Sequence, residues 1–176
     1  IERAQANSVI LLPQMLRVLL SAIARGHAVP KSLRFVAVGG GRVAPALLAQ
    51  AQALGVPAFE GYGLSECASV VALNRPGAQR RGSVGRPLPH VRARVSDKGE
   101  IEVAGNNQLG YLGGAAAIPG EWLATGDLGH LDDAGFLHID GRRRNVIITA
   151  FGRNVSPEWP EAELLAGPAI AQAAVF

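Results

Sequence analysis

Residues 33–66 of the 176-residue chain, LRFVAVGGGRVAPALLAQAQALGVPAFEGYGLSE, carry the clearest indication of its fold class. A short apolar run, residues 33–38, ends in consecutive glycines, which predicts a buried strand that enters a loop. Pro45 can begin a helix, and Gly55 is placed to end it. A second short strand, residues 56–59, again runs into a glycine-rich loop. Strand, loop, helix, strand and loop in this order predict an α/β layer with parallel strands.

The segment upstream of this layer is expected to be helical. Apolar residues recur at helical spacing through residues 12–23, so an amphipathic helix should end near Gly26. Nearly half of the chain, 48%, is apolar, which is enough for a core. We expect residues 1–77 to form the α/β part of a larger domain.

The next part of the chain has the pattern of an antiparallel sheet. Residues 91–95 and 101–103 alternate between apolar and polar side chains on either side of a turn, which predicts a β-hairpin. A further turn, residues 132–135, leads into another strand. We expect residues 78–140 to form a small antiparallel β subdomain attached to the α/β layer.

A third stretch, residues 141–176, is expected to contain a hinge and the start of a small α+β C-terminal domain. It has a predicted strand at residues 146–148, then a loop and a helix. Ser156 is the expected cap of that helix, with Pro157 in its first turn. Pro160 follows early in the helix and leaves its boundary open.

Composition narrows the classes of function. The net charge is +3, almost all positive charge is arginine in short clusters beside glycines, and aromatic residues make only 5% of the chain, so a nucleic-acid partner is not expected. No apolar run reaches the roughly 18 residues that a membrane span needs. The single cysteine, Cys67, is typical of a reducing cytosol and is expected to be a packing residue, so we predict a cytoplasmic protein.

The motif GYGLSE, residues 61–66, combines groups that suit a nucleotide. Its glycines let a ligand approach the backbone, Tyr62 offers a flat face to a base, and Ser65 carries a hydroxyl beside backbone N–H donors. Glu66 offers a hard oxygen ligand for Mg²⁺. The alternative is an ordinary loop with a solvent-facing tyrosine and a capping Ser-Glu pair.

Two further motifs are weaker on their own. In TGD, residues 125–127, the Asp127 carboxylate could accept both hydroxyls of a ribose, although Gly-Asp is also a common turn dipeptide. In GRRRN, residues 141–145, three adjacent arginines could form a solvated corner or, at a boundary between two units, a hinge.

Taken together in their order, these motifs resemble the adenylate-forming superfamily, which includes acyl-CoA synthetases, firefly-type luciferases and peptide-synthetase adenylation domains. The similarity covers nearly the whole sequence. Its blocks are LRFVAVGGGRVAPALL, FEGYGLSE, GSVGRPLPHVRARV, GEIEVAG, GYL, WLATGDLGHLDDAGFLHIDGRRRNVII and FGRNVSPEWPEAEL.

The resemblance implies roles for individual residues. Tyr62 would stack on adenine, and Asp127, helped by Arg142, would bind the ribose hydroxyls. Ser65 would contact the α-phosphate and Glu66 would hold Mg²⁺, while Arg144 would be the hinge residue, so these three are expected to serve catalysis. The remaining residues expected to bind nucleotide, acyl group or CoA are Gly40, Gly41, Glu60, Gly61, Gly63, Leu64 and, in a loop together with Gly152, Arg153.

The sequence departs from the family pattern at several positions. Arg42 stands where proline is common, Asn145 where an acidic residue is common, and Arg144 where Asp or Lys is usual. The family's phosphate loop with its lysine and its C-terminal catalytic lysine are absent from the sequence. We therefore expect an internal fragment that is inactive alone.

The function implied for the full-length enzyme has two steps. A carboxylate attacks the α-phosphate of ATP to give an acyl-adenylate, and the thiol of CoA then takes the acyl group. We expect ATP or AMP, Mg²⁺ and CoA as cofactors and a medium-chain, long-chain or aromatic acid as substrate, with a fatty-acid–CoA ligase as the first expectation. The alternatives are an adenylation domain that loads a carrier protein and a non-catalytic nucleotide-binding fragment.

Overall fold

A computed structural model describes residues 1–114, 116–118, 120–149, 153–167 and 169–176. Its first part alternates strands and helices: β1 (Ser8–Leu11), α1 (Pro13–Ala24), β2 (Phe35–Val38), α2 (Pro45–Ala53) and β3 (Ala58–Tyr62). The order from α1 to β3 agrees with the prediction, whereas β1 was not predicted. The three strands are parallel and lie in the order β1-β2-β3. The expected α/β layer with parallel strands is confirmed.

The two helices begin and end where the sequence predicts. Each has a proline in its first turn, where the missing N–H has no intrahelical partner to lose. Gly26 and Gly55 follow the helix ends with φ of 102° and 72°, a backbone conformation that glycine adopts without steric cost. The helices pack on the sheet through side chains that are almost fully buried: Leu16, Leu20, Val36, Val38, Leu47 and Ala51.

The sheet continues beyond β3 with two short antiparallel strands, β4 (Ala72–Leu73) and β5 (Arg86–Pro87). Gly61 and Tyr62, predicted to lie in a loop, belong to β3, because β4 gives their backbone groups a pairing partner. The end of the GYGLSE motif lies in a single 3₁₀ turn, Ser65–Cys67, which ends at Ala68 with φ of 52°. β5 lies within residues 78–140 of the chain, yet it pairs with the first sheet.

A second, four-stranded antiparallel sheet contains β6 (Arg92–Val95), β7 (Glu100–Ala104), β8 (Leu123–Leu131) and β9 (Leu137–Arg142) in that order. The predicted hairpin is β6-β7, and the predicted turn at residues 132–135 joins β8 to β9. Both are confirmed. β9 continues as far as Arg142, so the sheet includes the first residues of the stretch expected to contain a hinge.

Main-chain hydrogen bonds join the two sheets. Val84 N–H donates to Leu137 O, and Leu137 N–H donates to Gly85 O, both at 2.9 Å. Gly85 lies so close to β4 that a Cβ there would be 1.9 Å from the carbonyl carbon of Leu73. A single chain segment is therefore in contact with both sheets.

The C-terminal part contains β10 (Ile147–Ile148), which pairs with β11 (Asn154–Val155), and α3 (Glu158–Ala166). The prediction that Ser156 caps this helix is wrong. Pro157 is the N-cap residue, and the Ser156 hydroxyl donates a hydrogen bond to the Glu158 carboxylate instead. Pro160 fits because it lies in the first turn, where its missing N–H has no intrahelical acceptor. None of the helices in the described ranges has the length and apolar character needed to cross a bilayer.

Candidate functional site

A cavity of about 440 Å³ lies where β2 and β3 end and the second sheet meets the first. In open α/β sheets, ligands bind in such crevices beside the carboxyl ends of parallel strands. Several of the predicted site residues line it together: Gly40, Gly41, Glu60, Gly61, Tyr62, Gly63, Asp127 and Arg142. The chain thus brings residues from three separate motifs to one wall.

A hydrogen-bonded network centred on Asp127 forms one side of this cavity. The Asp127 carboxylate, only 5% exposed, accepts a hydrogen bond of 2.6 Å from the Tyr62 hydroxyl and one of 2.8 Å from Nε of Arg142. Burial, followed by the bond to Asp127, raises the pKa of Tyr62, so the phenol remains a neutral donor. The same aspartate raises the pKa of Arg142. Each carboxylate oxygen can accept a second hydrogen bond, which leaves capacity for a ligand's hydroxyls.

The glycines of the GYG segment allow the chain to pack closely against itself. A Cβ at Gly63 would lie 1.6 Å from Ser69 O, and a Cβ at Gly61 would lie 2.7 Å from Cδ1 of Leu73. Ser69 itself has a φ of 76°, which is uncommon for a residue with a side chain. These glycines are thus required by the fold of residues 61–73, in addition to any contact with a ligand.

Glu60 is a partly desolvated acid inside the cavity. Burial raises the pKa of its carboxyl from 4.5 to about 7, while the charge of Arg42 and the backbone N–H of Val43 act in the opposite direction. Near neutral pH the group can therefore donate or accept a hydrogen bond. Arg42 also lines the cavity, and its Nη1 donates weakly to Ile139 O at 3.4 Å. The sequence identified Arg42 only as a departure from the family pattern and predicted no role for it in the site.

Other predicted site residues fall outside the cavity wall that the described residues form: Leu64, Ser65, Glu66, Arg144 and Arg153. Ser65 and Arg144 are exposed, and Arg153 N–H donates to the Thr149 hydroxyl at 3.1 Å. Gly152 lies outside the described residues. The roles assigned to all of these residues remain predictions.

Two hydrogen bonds from the loop that contains Gln108 and Tyr111 hold Glu66 in place. Tyr111 donates its hydroxyl to Oε1 of Glu66 at 3.0 Å, and Gln108 N–H donates to Glu66 O at 2.7 Å. Within the described part of the chain, no group of three or more His, Cys, Asp and Glu side chains is placed to hold a metal ion. A single half-buried carboxylate suits Mg²⁺ that takes its other ligands from nucleotide phosphates and water.

The C-terminal stretch supplies part of the cavity that the sequence did not predict. Ser156 and Glu158 both line it, and a Cβ at Gly141 would lie 2.7 Å from Ser156 Cβ. Burial would raise the pKa of Glu158, but hydrogen bonds from Ser156 and Asn145 outweigh it and lower that pKa. Arg81 is a further cationic residue of the wall that was not predicted. The side chains of Ser156, Glu158 and Arg81 carry no sequence signal that would have marked them.

Comparison with known proteins shows the family of this chain. Residues 1–124 match the AMP-binding enzyme family. The 2-succinylbenzoate–CoA ligase of Bacillus velezensis is 35% identical over 191 aligned positions, which cover 99% of this chain and 39% of that protein. A long-chain-fatty-acid–CoA ligase of Mycobacterium bovis is 41% identical over 126 positions, covering 69% of this chain and 21% of that protein.

Solved structures agree with this assignment. The O-succinylbenzoate coenzyme A synthetase of Bacillus subtilis, in complex with ATP and magnesium ion, has a TM-score of 0.83 and 33% identity, with 98% of this chain and 39% of that chain covered. The chain therefore spans well under half the length of these ligases. With a matching family over most of its length and a shared α/β fold, the chain belongs to the AMP-binding enzyme family.

Proposed function

We propose that the cavity binds the AMP portion of ATP or of an acyl-adenylate. The observation that supports this most directly is the network of Tyr62, Asp127 and Arg142 in a cavity at the strand ends. The tyrosine ring would lie against the base. The paired oxygens of Asp127 would accept the two ribose hydroxyls, and Arg142 would hold that buried side chain in place through its hydrogen bond.

The reaction proposed for the whole protein is the formation of an acyl-adenylate followed by transfer of the acyl group to a thiol. A substrate carboxylate would attack the α-phosphate and displace pyrophosphate, and the thiol would then displace AMP. The residues of this chain bind and orient the nucleotide in that reaction. Glu66 would be the protein ligand of Mg²⁺, which supplies charge neutralisation on phosphate when it is bound.

For the acyl substrate we propose an aromatic carboxylic acid, in place of the fatty acid that was the first expectation from sequence. The relatives that align with 96–99% of the chain include ligases for 2-succinylbenzoate. A fatty acid is the second candidate, because the 41% identity to the mycobacterial ligase is higher over the shorter region that it covers. We propose CoA as the acceptor, since both relatives are named as CoA ligases; a carrier protein is the alternative.

Calorimetric titration of the 176-residue chain with AMP tests nucleotide binding directly. Asp127→Asn should weaken AMP binding about tenfold or more, because it removes the charged acceptor of the ribose hydroxyls. Asp133→Asn, an exposed aspartate in the turn between β8 and β9, is the matched control and should leave AMP binding unchanged. Equal affinities for wild type and Asp127→Asn would contradict the proposed site.

Pyrophosphate exchange tests whether the 176-residue chain is catalytic by itself. The chain's two lysines, Lys31 and Lys98, are exposed residues outside the described cavity wall, so neither can neutralise a transferred phosphate there. We therefore expect the 176-residue chain alone to give no ATP–pyrophosphate exchange with any carboxylate. Robust exchange by a chain of verified mass would show that the cavity needs no such lysine.

A further inference from the structure

A buried glutamate connects the two strands that carry the Asp127–Arg142 pair. Glu100 begins β7, and its side chain is only 9% exposed. Its Oε1 accepts a hydrogen bond of 2.9 Å from Gly126 N–H, and its Oε2 accepts one of 2.7 Å from Nη1 of Arg143. Arg143 N–H also donates to Gly126 O at 2.9 Å. Glu100, Gly126 and Arg143 thus form a closed ring of three hydrogen bonds.

The residues that Glu100 holds are the chain neighbours of the residues that face the cavity. Gly126 directly precedes Asp127, and Arg143 directly follows Arg142. Consecutive arginines therefore make ion pairs with two carboxylates on different strands. Loss of the Glu100 charge would remove the shared anchor of the backbone before Asp127 and after Arg142. The side chains of Asp127 and Arg142 would themselves be unchanged.

We propose that Glu100 is a positioning residue for the ribose: it fixes Gly126 and Arg143 so that Asp127 and Arg142 present a preformed acceptor to the 2′ and 3′ hydroxyls of a nucleotide. This inference rests on the proposed function of the cavity. The anchor also limits where the expected hinge can lie. Because Arg143 is bonded to the four-stranded sheet, the C-terminal stretch can rotate only about residue 144 or a later residue.

The test compares AMP with 2′,3′-dideoxy-AMP, which lacks both hydroxyls, by calorimetric titration of the full chain. Glu100→Gln should weaken AMP binding about tenfold, the usual effect of losing a hydrogen bond to a charged group, and leave dideoxy-AMP binding unchanged. Glu102→Gln is the matched control, because Glu102 lies two residues further along β7 and pairs at 2.6 Å with Arg94 of β6, not with the residues next to Asp127 and Arg142. It should not alter either affinity.

A second variant breaks the Glu100–Arg143 ion pair by replacing its exposed partner, Arg143. Arg143 is 58% exposed, so Arg143→Gln should fold normally and should reduce the preference for AMP over dideoxy-AMP in the same way. Equal losses of affinity for both ligands would mean that Glu100 only stabilises the fold, and an unchanged preference in both variants would overturn the positioning role.

Limited trypsin digestion tests the anchor without any nucleotide. Cleavage after Arg143, measured by mass spectrometry relative to cleavage after the exposed Arg25, should be several-fold faster in Glu100→Gln than in Glu102→Gln. An unchanged cleavage ratio would overturn the anchor itself. If wild type binds neither nucleotide, the proposed function fails, while a faster relative cleavage would still support the Glu100 anchor.

Discussion

Replacing Glu60 with glutamine should change how the stability of the protein depends on pH. In the folded chain, burial raises the pKa of the Glu60 carboxyl to about 7, against 4.5 for the ordinary group. Between these two values the native state binds more protons than the unfolded state does. The free energy of unfolding of wild type must therefore fall as pH rises through this window. The Glu60→Gln variant should not show this contribution, because glutamine does not ionise.

The magnitude follows from the two pKa values. From pH 5 to pH 8, ionisation of Glu60 should cost wild type about 2.5 kcal/mol of stability relative to Glu60→Gln. For a chain of this length that corresponds to about 5–10 °C in melting temperature. The positive charge of Arg42 lowers the pKa of Glu60, so Arg42→Ala should move the loss of stability to higher pH.

The assay is urea unfolding of wild type, Glu60→Gln and a control variant at unit steps from pH 5 to pH 8. The control is Glu163→Gln, a glutamate on the exposed face of α3, whose pH profile should run parallel to that of wild type. Parallel profiles for wild type and Glu60→Gln would refute the reasoning. They would show that water reaches this carboxyl and that the cavity wall around it is not desolvated.

Four further substitutions have expected outcomes. Tyr62→Ala should weaken nucleotide binding by about 1–3 kcal/mol, or roughly tenfold to a hundredfold in Kd, through loss of base stacking; an unchanged calorimetric Kd would remove Tyr62 from the base site. Gly63→Ala should cost at least about 3 kcal/mol in urea unfolding, since its Cβ would lie 1.6 Å from Ser69 O. Gly99→Ala, which has open space but a φ of 75°, should cost about 1–2 kcal/mol. In the intact enzyme, Arg144→Pro should impair thioester formation far more than pyrophosphate exchange, because proline fixes φ at the expected pivot; equal losses at an unchanged Tm would argue against that pivot.

The parts of the fold that sequence predicted are those with a local signal. α1 and the β6-β7 hairpin carry their own pattern of apolar spacing, while α2 is marked by a proline at its start and a glycine after its end. β4 and β5 have two residues each, too few to show alternation, so their pairing with β3 and the true end of β3 were not predictable. The same holds for the start of α3, where two prolines and a serine allow several caps.

The site was predictable only in part, for a different physical reason. Tyr62 and Asp127 are 65 positions apart, and the family resemblance, not spacing, placed them in one site. Glu100 and Glu102 are two positions apart in β7, yet only Glu100 is buried, because it contacts residues of the strands that follow, whereas the side chain of Glu102 is 22% exposed. Sequence cannot distinguish such residues, because their burial depends on contacts with distant segments.

The backbone connection between the two sheets has a consequence for how the molecule unfolds. Residues 84 and 85 form main-chain hydrogen bonds with Leu137 of the second sheet, while the adjacent β5 pairs with β4 of the first sheet. The two sheets therefore cannot separate from each other without breaking main-chain hydrogen bonds. The amides of Val84 and Leu137 should then exchange with solvent only in a common opening reaction. Because Tyr62 belongs to one sheet and Asp127 to the other, a ligand held between them would slow that opening everywhere at once, and protection from hydrogen exchange would rise in both sheets by the same free energy.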